Sequence, residues 1–207
     1  DDVMNDQRQV IFSQRLKILK SKNISEILDD FFQEILKNLE ITFDNYKKSN
    51  DEKYVTEIKN ITGNSLSDKE LRGFLTKEKS EFLKSIDKLF KTKQDSRIKI
   101  IGLEENNTLE KKIFLQIMDF TWRSHLQYLE QLRQVIGLRQ YGQKDPLSEF
   151  KKEAFVLFES LLNKIKNDLI KLLLNLNIVI DSNEVDQKDQ NKEFKKVELK
   201  VSKMSKK

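Results

Sequence analysis

The single proline, Pro146, stands between two long stretches that both carry apolar residues at helical spacing, and this arrangement limits the fold more than any other feature of the chain. Before it, Leu109, Ile113, Ile117 and Phe120, then Met118, Trp122, Leu126, Leu129, Leu132 and Ile136, recur three and four residues apart, as along one buried helix face. After it, Leu147, Phe150, Ala154, Leu157, Phe158, Leu161, Ile165, Leu169, Leu172 and Leu176 repeat the pattern. The connection from Leu138 to Pro146 is so short that the two helices must run antiparallel. Asp145 suits an N-cap, and Pro146 suits the first helical position, where a missing N–H leaves nothing unsatisfied. Gly142 can take the left-handed conformation that a chain reversal uses. At the far end, Asn107-Thr108-Leu109-Glu110 reads as a capping pattern with Asn107 as cap. A helix from Asn107 to Leu138 would be about 48 Å long.

Only five glycines accompany that proline in 207 residues, and 35% of the residues are charged. The fold class expected is all-α: a long scaffold helix plus an antiparallel helical hairpin with an inserted small helical subdomain. No stretch approaches the roughly 20 apolar residues of a membrane span, and no signal segment opens the chain. The chain starts at Asp1 rather than methionine, which reads as a piece of something longer. Cysteine is absent, so disulfides and thiolate metal sites are excluded. One histidine leaves almost nothing from which to build a metal centre. The net charge of +5 permits attraction to anionic lipid or nucleic acid, but acids and bases are interleaved almost everywhere. No nucleic acid partner is expected.

Taken in order, residues 1–40 read as a very long helix with an apolar stripe at Val3, Val10, Ile11, Ile18, Leu28, Phe31, Phe32, Ile35 and Leu39. Asn23-Ile24-Ser25-Glu26 could cap a new helix, which leaves a break near residue 22 as the alternative. Residues 41–106 read as a small helical subdomain, with breaks at Ser49-Asn50-Asp51, Gly63-Asn64-Ser65 and Gly102. In it Ser67-Asp68-Lys69-Glu70 is a capping box, Thr76 a candidate cap for the helix carrying Phe82, Ile86, Leu89 and Phe90, and Ile98-Lys99-Ile100-Ile101 an extended or transitional piece. Residues 107–178 form the hairpin. Residues 179–207 are polar and lysine-rich, and read as a flexible basic tail able to touch anionic lipid head groups.

Five scattered glycines cannot make a phosphate-binding loop. The only histidine, His125, follows Trp122 by three residues, close to the buried stripe. It reads as a packed, hydrogen-bonded residue, and Trp122 as a core residue between helices. No catalytic residue and no metal ligand is assigned. Tyr141 differs, because an aromatic at the apex of a loop flanked by Arg139, Gln140, Gln143 and Lys144 is not easily buried by its own hairpin. Such a residue points to contact with something outside.

The motifs Asp119-x-x-Trp122-x-x-His125-Leu126, Leu132-Arg133-Gln134-x-Ile136-x-Leu138-Arg139-x-Tyr141-x-Gln143-Lys144-Asp145-Pro146 and Glu149-Phe150-Lys151-x-Glu153-x-Phe155-x-x-Phe158 resemble the two-helix finger of the SecA family of bacterial preprotein translocase ATPases. The opening Asp1-Asp2-Val3-Met4-Asn5-Asp6-Gln7-Arg8 with Val10-Ile11 resembles the start of that family's helical scaffold. Residues 41–106 lie where the family has its helical wing. The resemblance implies a non-catalytic piece of a translocation motor. Its finger would couple ATP hydrolysis elsewhere in the protein to preprotein movement, with Tyr141, Arg139, Gln140, Gln143 and Lys144 meeting substrate and channel. Trp122, Leu126 and Leu129 would pack the arm against Phe155, Phe158 and Leu162 or their neighbours. The implied partners are the Sec protein-conducting channel, the preprotein, and the protein's own nucleotide-binding domains, with the anionic membrane surface as a further contact. ATP and Mg would be cofactors of the full-length protein and not of this piece, which would lie at the cytoplasmic face of the bacterial plasma membrane. Where the family has Gly-Ile-His-Leu-Arg-Gly-Tyr-Ala, this chain has Val135-Ile136-Gly137-Leu138-Arg139-Gln140-Tyr141-Gly142, with each glycine moved to the far side of its neighbour. The cysteines of the zinc-binding tail carried by some members are missing. The alternative reading, from another class, is a coiled-coil adaptor that binds partner helices.

Overall fold

The computed structural model describes residues 2–137 and 145–178. Among the described residues seven α-helices follow one another: α1 (Asp2–Lys20), α2 (Ser25–Ser49), α3 (Glu52–Thr62), α4 (Asp68–Leu75), α5 (Lys79–Ile101), α6 (Leu103–Ile136) and α7 (Pro146–Asn175), with a 3-10 turn at Gly63–Ser65. No strand occurs among the described residues, and the fold is all-α. Nor is any helix among them long and apolar enough to cross a membrane. Among the described residues the contacts form two bodies, one of residues up to 38 with those from 107 to 170, the other of residues 39–106 with those from 171 to 178.

In the first body the long helix expected over residues 1–40 is two helices, and α2 runs on to Ser49. The break lies between Lys20 and Ser25, where the Asn23 side chain accepts from Ser25 N–H at 2.9 Å. Side chains of α6 satisfy the backbone groups that the break leaves open. Asn107 Oδ1 accepts from Ile24 N–H at 3.2 Å, its amide donates to Lys22 C=O, and Lys111 Nζ donates to Ser21 C=O. Ile24 is fully buried beside them. Unpaired backbone groups in a helix break would otherwise be costly. Asn107 is therefore not the cap of α6, which starts at Leu103 with Asn107 inside it. At about 1.5 Å per residue the 34 residues of α6 extend about 51 Å.

The hairpin of α6 and α7 is antiparallel. Leu129, Leu132 and Ile136 pack with Phe150 and Ala154, and Val3, Met4 and Leu157 lie against that cluster. Asp145 caps α7, its carboxylate accepting from Ser148 N–H at 3.0 Å and Ser148 Oγ at 2.8 Å. Those two bonds, the hydroxyl's first, hold its pKa below the ordinary carboxylate value. Pro146 is the first helical residue, as its fixed backbone favours. Not every residue of the expected stripes is inside: Phe120 and Leu147 are exposed, as is Val10 on α1.

The second body is held by local caps and one buried charge. Asn50 takes a positive φ of 52°, and Asp51 caps α3 by accepting from Lys53 N–H at 3.0 Å. Ser67 and Glu70 form the reciprocal box of α4. Thr76 ends α4 rather than opening α5, whose N-cap is Glu78 without a side-chain bond. Ile98–Ile101 is the last turn of α5, not an extended piece. Arg97 explains the difference: it is 2% exposed and donates to Asn106 Oδ1 at 3.2 Å and Leu173 C=O at 2.7 Å. Those bonds tie the end of α5 to Asn106 and Leu173. Phe43 stacks on Phe82 with centroids 4.6 Å apart, above the buried Ile86 and Phe90.

Candidate functional site

On the inner face of α1, Gln7, Ile11 and Ile18 are buried. Gln7 is the polar member, and it joins three helices. Its Nε2 donates to Ala154 C=O on α7 at 3.0 Å, while its Oε1 meets His125 Nε2 on α6 at 2.8 Å. A carbonyl can only accept, so the amide orientation is settled by Ala154, and His125 must be the donor from Nε2. His125 is 7% exposed, with Trp122 at 5.5 Å and Phe158 at 5.9 Å between ring centroids. Burial lowers its pKa below the ordinary 6.5, because the apolar surroundings disfavour the cation. The imidazole is thus a neutral strut, with an amide and two rings as its described neighbours.

A second clasp lies farther along the same helices. Arg15 on α1 donates Nε–H to Asp119 Oδ1 at 3.0 Å and Nη2–H to Oδ2 at 3.1 Å. The paired geometry makes the contact directional. Both partners are partly exposed, so it aligns more than it stabilises. On α2, Phe31 packs edge-on to Phe114 at 5.5 Å, and Lys166 of α7 lies over Phe31 while pairing with Glu34 at 2.5 Å. The arms are held from α1 and α2 at several heights.

Of the residues expected to make the hairpin, Trp122 is half-buried and meets Phe158 edge-on at 6.5 Å. His125 lies in the same cluster, and Leu126 is half-buried. Phe155, expected in that packing, is instead 60% exposed. The reason is angular: Ala154 and Phe158 are a turn apart on the inner side of α7, and Phe155 is one residue round from Ala154. The expected contact residues Tyr141, Arg139, Gln140, Gln143 and Lys144 lie outside the described residues. No group of three or more His, Asp or Glu among the described residues could hold a metal ion. Gln7, Arg15, Asn107 and Lys111 went unnoticed as site residues, although Gln7 shares its face with Ile11 and Ile18 and so stands out as a polar residue on an apolar stripe.

Comparison with known proteins gives this geometry a family. Residues 1–177 match the family described as the SecA wing and scaffold domain. The chain is 46% identical over 186 residues to the protein translocase subunit SecA of Pelagibacter ubique (strain HTCC1062), covering 89% of this chain and 22% of that protein. The corresponding subunit of Hyphomonas neptunium (strain ATCC 15444) is 34% identical over 188 residues, 86% of this chain and 20% of its own length. That of Rickettsia rickettsii (strain Sheila Smith) is 35% identical over 203 residues, 96% of this chain and 22% of its own length. The chain spans about a fifth of the length of these relatives. Helices held in a braced hairpin, with a smaller helical body beside them in the sequence, thus carry a wing-and-scaffold sequence along nearly their whole described length, and the chain belongs to the SecA family.

Proposed function

We propose that this chain is the mechanical, non-catalytic part of a SecA protein translocation motor. In this reading residues 1–40 are scaffold, residues 41–106 wing and residues 107–178 a two-helix finger. The finger couples ATP hydrolysis, carried out by nucleotide-binding domains in the rest of the protein, to movement of a preprotein through the Sec channel at the cytoplasmic side of the membrane. ATP and Mg belong to those domains. Tyr141, with Arg139, Gln140, Gln143 and Lys144, is the part of the finger that meets substrate and channel.

The observation that carries this reading is the bracing of the hairpin. A lever transmits displacement only if its arms do not bend under load. Here α6 and α7 share a core at Leu129, Leu132, Ile136, Phe150 and Ala154, and Gln7 ties both arms to α1 by hydrogen bonds. A coiled-coil adaptor has no need of such a buried polar tie from a third helix. The test is Tyr141→Ala in the full-length protein. Preprotein transport should fall at least tenfold while basal ATP turnover is retained. Unchanged transport with normal turnover would sink the assignment of the tip. Transport that requires no ATP would sink the motor reading as a whole.

A further inference from the structure

The polar contacts between α1 and α6 form a ladder. Gln7 meets His125, Arg15 meets Asp119, and Ser21, just beyond α1, meets Lys111 through its carbonyl. From Gln7 to Ser21 the chain advances fourteen residues, and from His125 to Lys111 it goes back fourteen along α6. The rungs therefore keep step along about 21 Å of two antiparallel segments. Between them the inner face of α1 offers Ile11 and Ile18. Apolar contact is non-directional, so such a stripe packs nearly as well after a shift of one turn, about 5.4 Å. Hydrogen bonds do not survive a shift of that size. The polar rungs, rather than the two isoleucines, set where α1 stands along the hairpin.

The rungs differ in what they add to stability. Gln7 and His125 are buried, whereas the side chains of Arg15 and Asp119 are 38% and 44% exposed. An ion pair as open as that contributes little net free energy. Yet it is bidentate, with Nε–H and Nη2–H each donating to a different carboxylate oxygen, which fixes direction as well as distance. We propose that Arg15 and Asp119 are positioning residues, which hold the hairpin at one axial register on α1 so that a displacement of α1 reaches the far end of the hairpin undiminished. The consequence for transport rests on the motor reading; the register itself does not.

The register is read in the 207-residue chain, which has no cysteine of its own, by spin labels on S13C/S124C, two exposed sites on α1 and α6. R15D sets two carboxylates against each other, and the distance between the labels should shift or broaden by about 3 Å, half a turn. R15D/D119R restores an opposite pair and should bring the distance back. An unchanged distance in R15D, or no recovery in the double variant, would overturn the proposal. An exposed pair biases an equilibrium by up to about fivefold, so in the full-length protein R15D should lower the preprotein moved per ATP hydrolysed by about that factor, again with recovery in R15D/D119R. A register that shifts while transport per ATP stays constant would overturn the positioning role. A loss of transport that only follows a loss of folded protein, measured by urea unfolding, would make the pair merely structural and overturn it too. Transport by the unsubstituted protein without ATP would remove the motor reading and the positioning role with it, while the labels would still decide the register.

Discussion

Residues 39–106 with 171–178 turn nearly all of their large apolar side chains inward, leaving Ile41, Ile100 and Leu103 open, while residues 2–38 with 107–170 leave Val10, Phe12, Leu16, Leu19, Phe120, Tyr128, Val135, Leu147, Phe155 and Val156 exposed. Scattered exposed apolar residues are ordinary. Phe12, Leu16 and Leu19 are not scattered, because spacings of four and three put them on one side of α1, away from the buried Gln7, Ile11 and Ile18. Helix α1 thus has two apolar faces and covers one. The lesson is that the body built on α3, α4 and α5 is closed on itself, whereas the body with the long hairpin helices leaves apolar surface to be covered again. On the proposed function, the remaining four-fifths of a SecA protein would supply that cover.

If the second body is closed, opening its core should have the largest effect. Phe82 is fully buried and stacked on Phe43, and Phe82→Ala should cost about 4 kcal/mol through lost burial and the cavity left behind. Next comes Arg97→Met, which keeps the length of the side chain but leaves Leu173 C=O and Asn106 Oδ1 without their donor. That change should cost about 3 kcal/mol. Urea unfolding of each variant measures both. A loss below about 1 kcal/mol for either would mean that this core relaxes easily, and the contrast between the bodies would weaken.

What could be read from the sequence follows the range of the interaction. The capping box at Ser67 and Glu70 and the cap at Asp145 span three residues, and both were legible because the partners lie within one turn. The fold class followed from near-absence of glycine and proline. By contrast, the break after Lys20 could only be offered as one of two alternatives, since what stabilises it is Asn107, 85 residues from Lys22. The same Asn107 was misread as a cap: its local pattern is right for one, but its side chain is taken by the break. Ile98–Ile101 looked extended because β-branched residues cluster there, yet they form the last turn of α5, whose end Arg97 ties to Asn106 and Leu173. Sequence alone makes His125 a packed, hydrogen-bonded residue without naming its partners, and it does not anticipate the exposure of Phe155 and Phe120. A stripe counted by threes and fours is wider than the strip of surface that a neighbouring helix covers.

In the braced body the corresponding probe is Gln7→Leu. It preserves size but strands the His125 donor and removes a donor from Ala154 C=O, for an expected loss of about 2 kcal/mol. His125 adds a pH signature. Its folded pKa is depressed by burial, so below the ordinary 6.5 the unfolded chain takes up a proton that the folded one refuses. Stability should be flat above about pH 7.5 and should fall as pH drops through 6.5, by no more than about 1.4 kcal/mol per pH unit. H125Q should flatten that slope. An equal slope in H125Q over that range would remove His125 as its cause, since carboxylates such as Asp51, Glu70 and Asp145, also held below their ordinary values, release their stability only at or below about pH 4.

The smallest expected effect bears most directly on the difference between the two bodies. Leu16 lies in the middle of the open face of α1, so Leu16→Ser should change the stability of the 207-residue chain by less than about 0.5 kcal/mol. In the full-length protein the same substitution should lower thermal stability or nucleotide-coupled transport, because there the face is proposed to be covered. A loss near 2 kcal/mol in the chain alone would mean that Leu16 is already buried by a neighbour in solution, as on self-association. In that case the body with the long helices would be as closed as the other, and its exposed stripe would need no further partner.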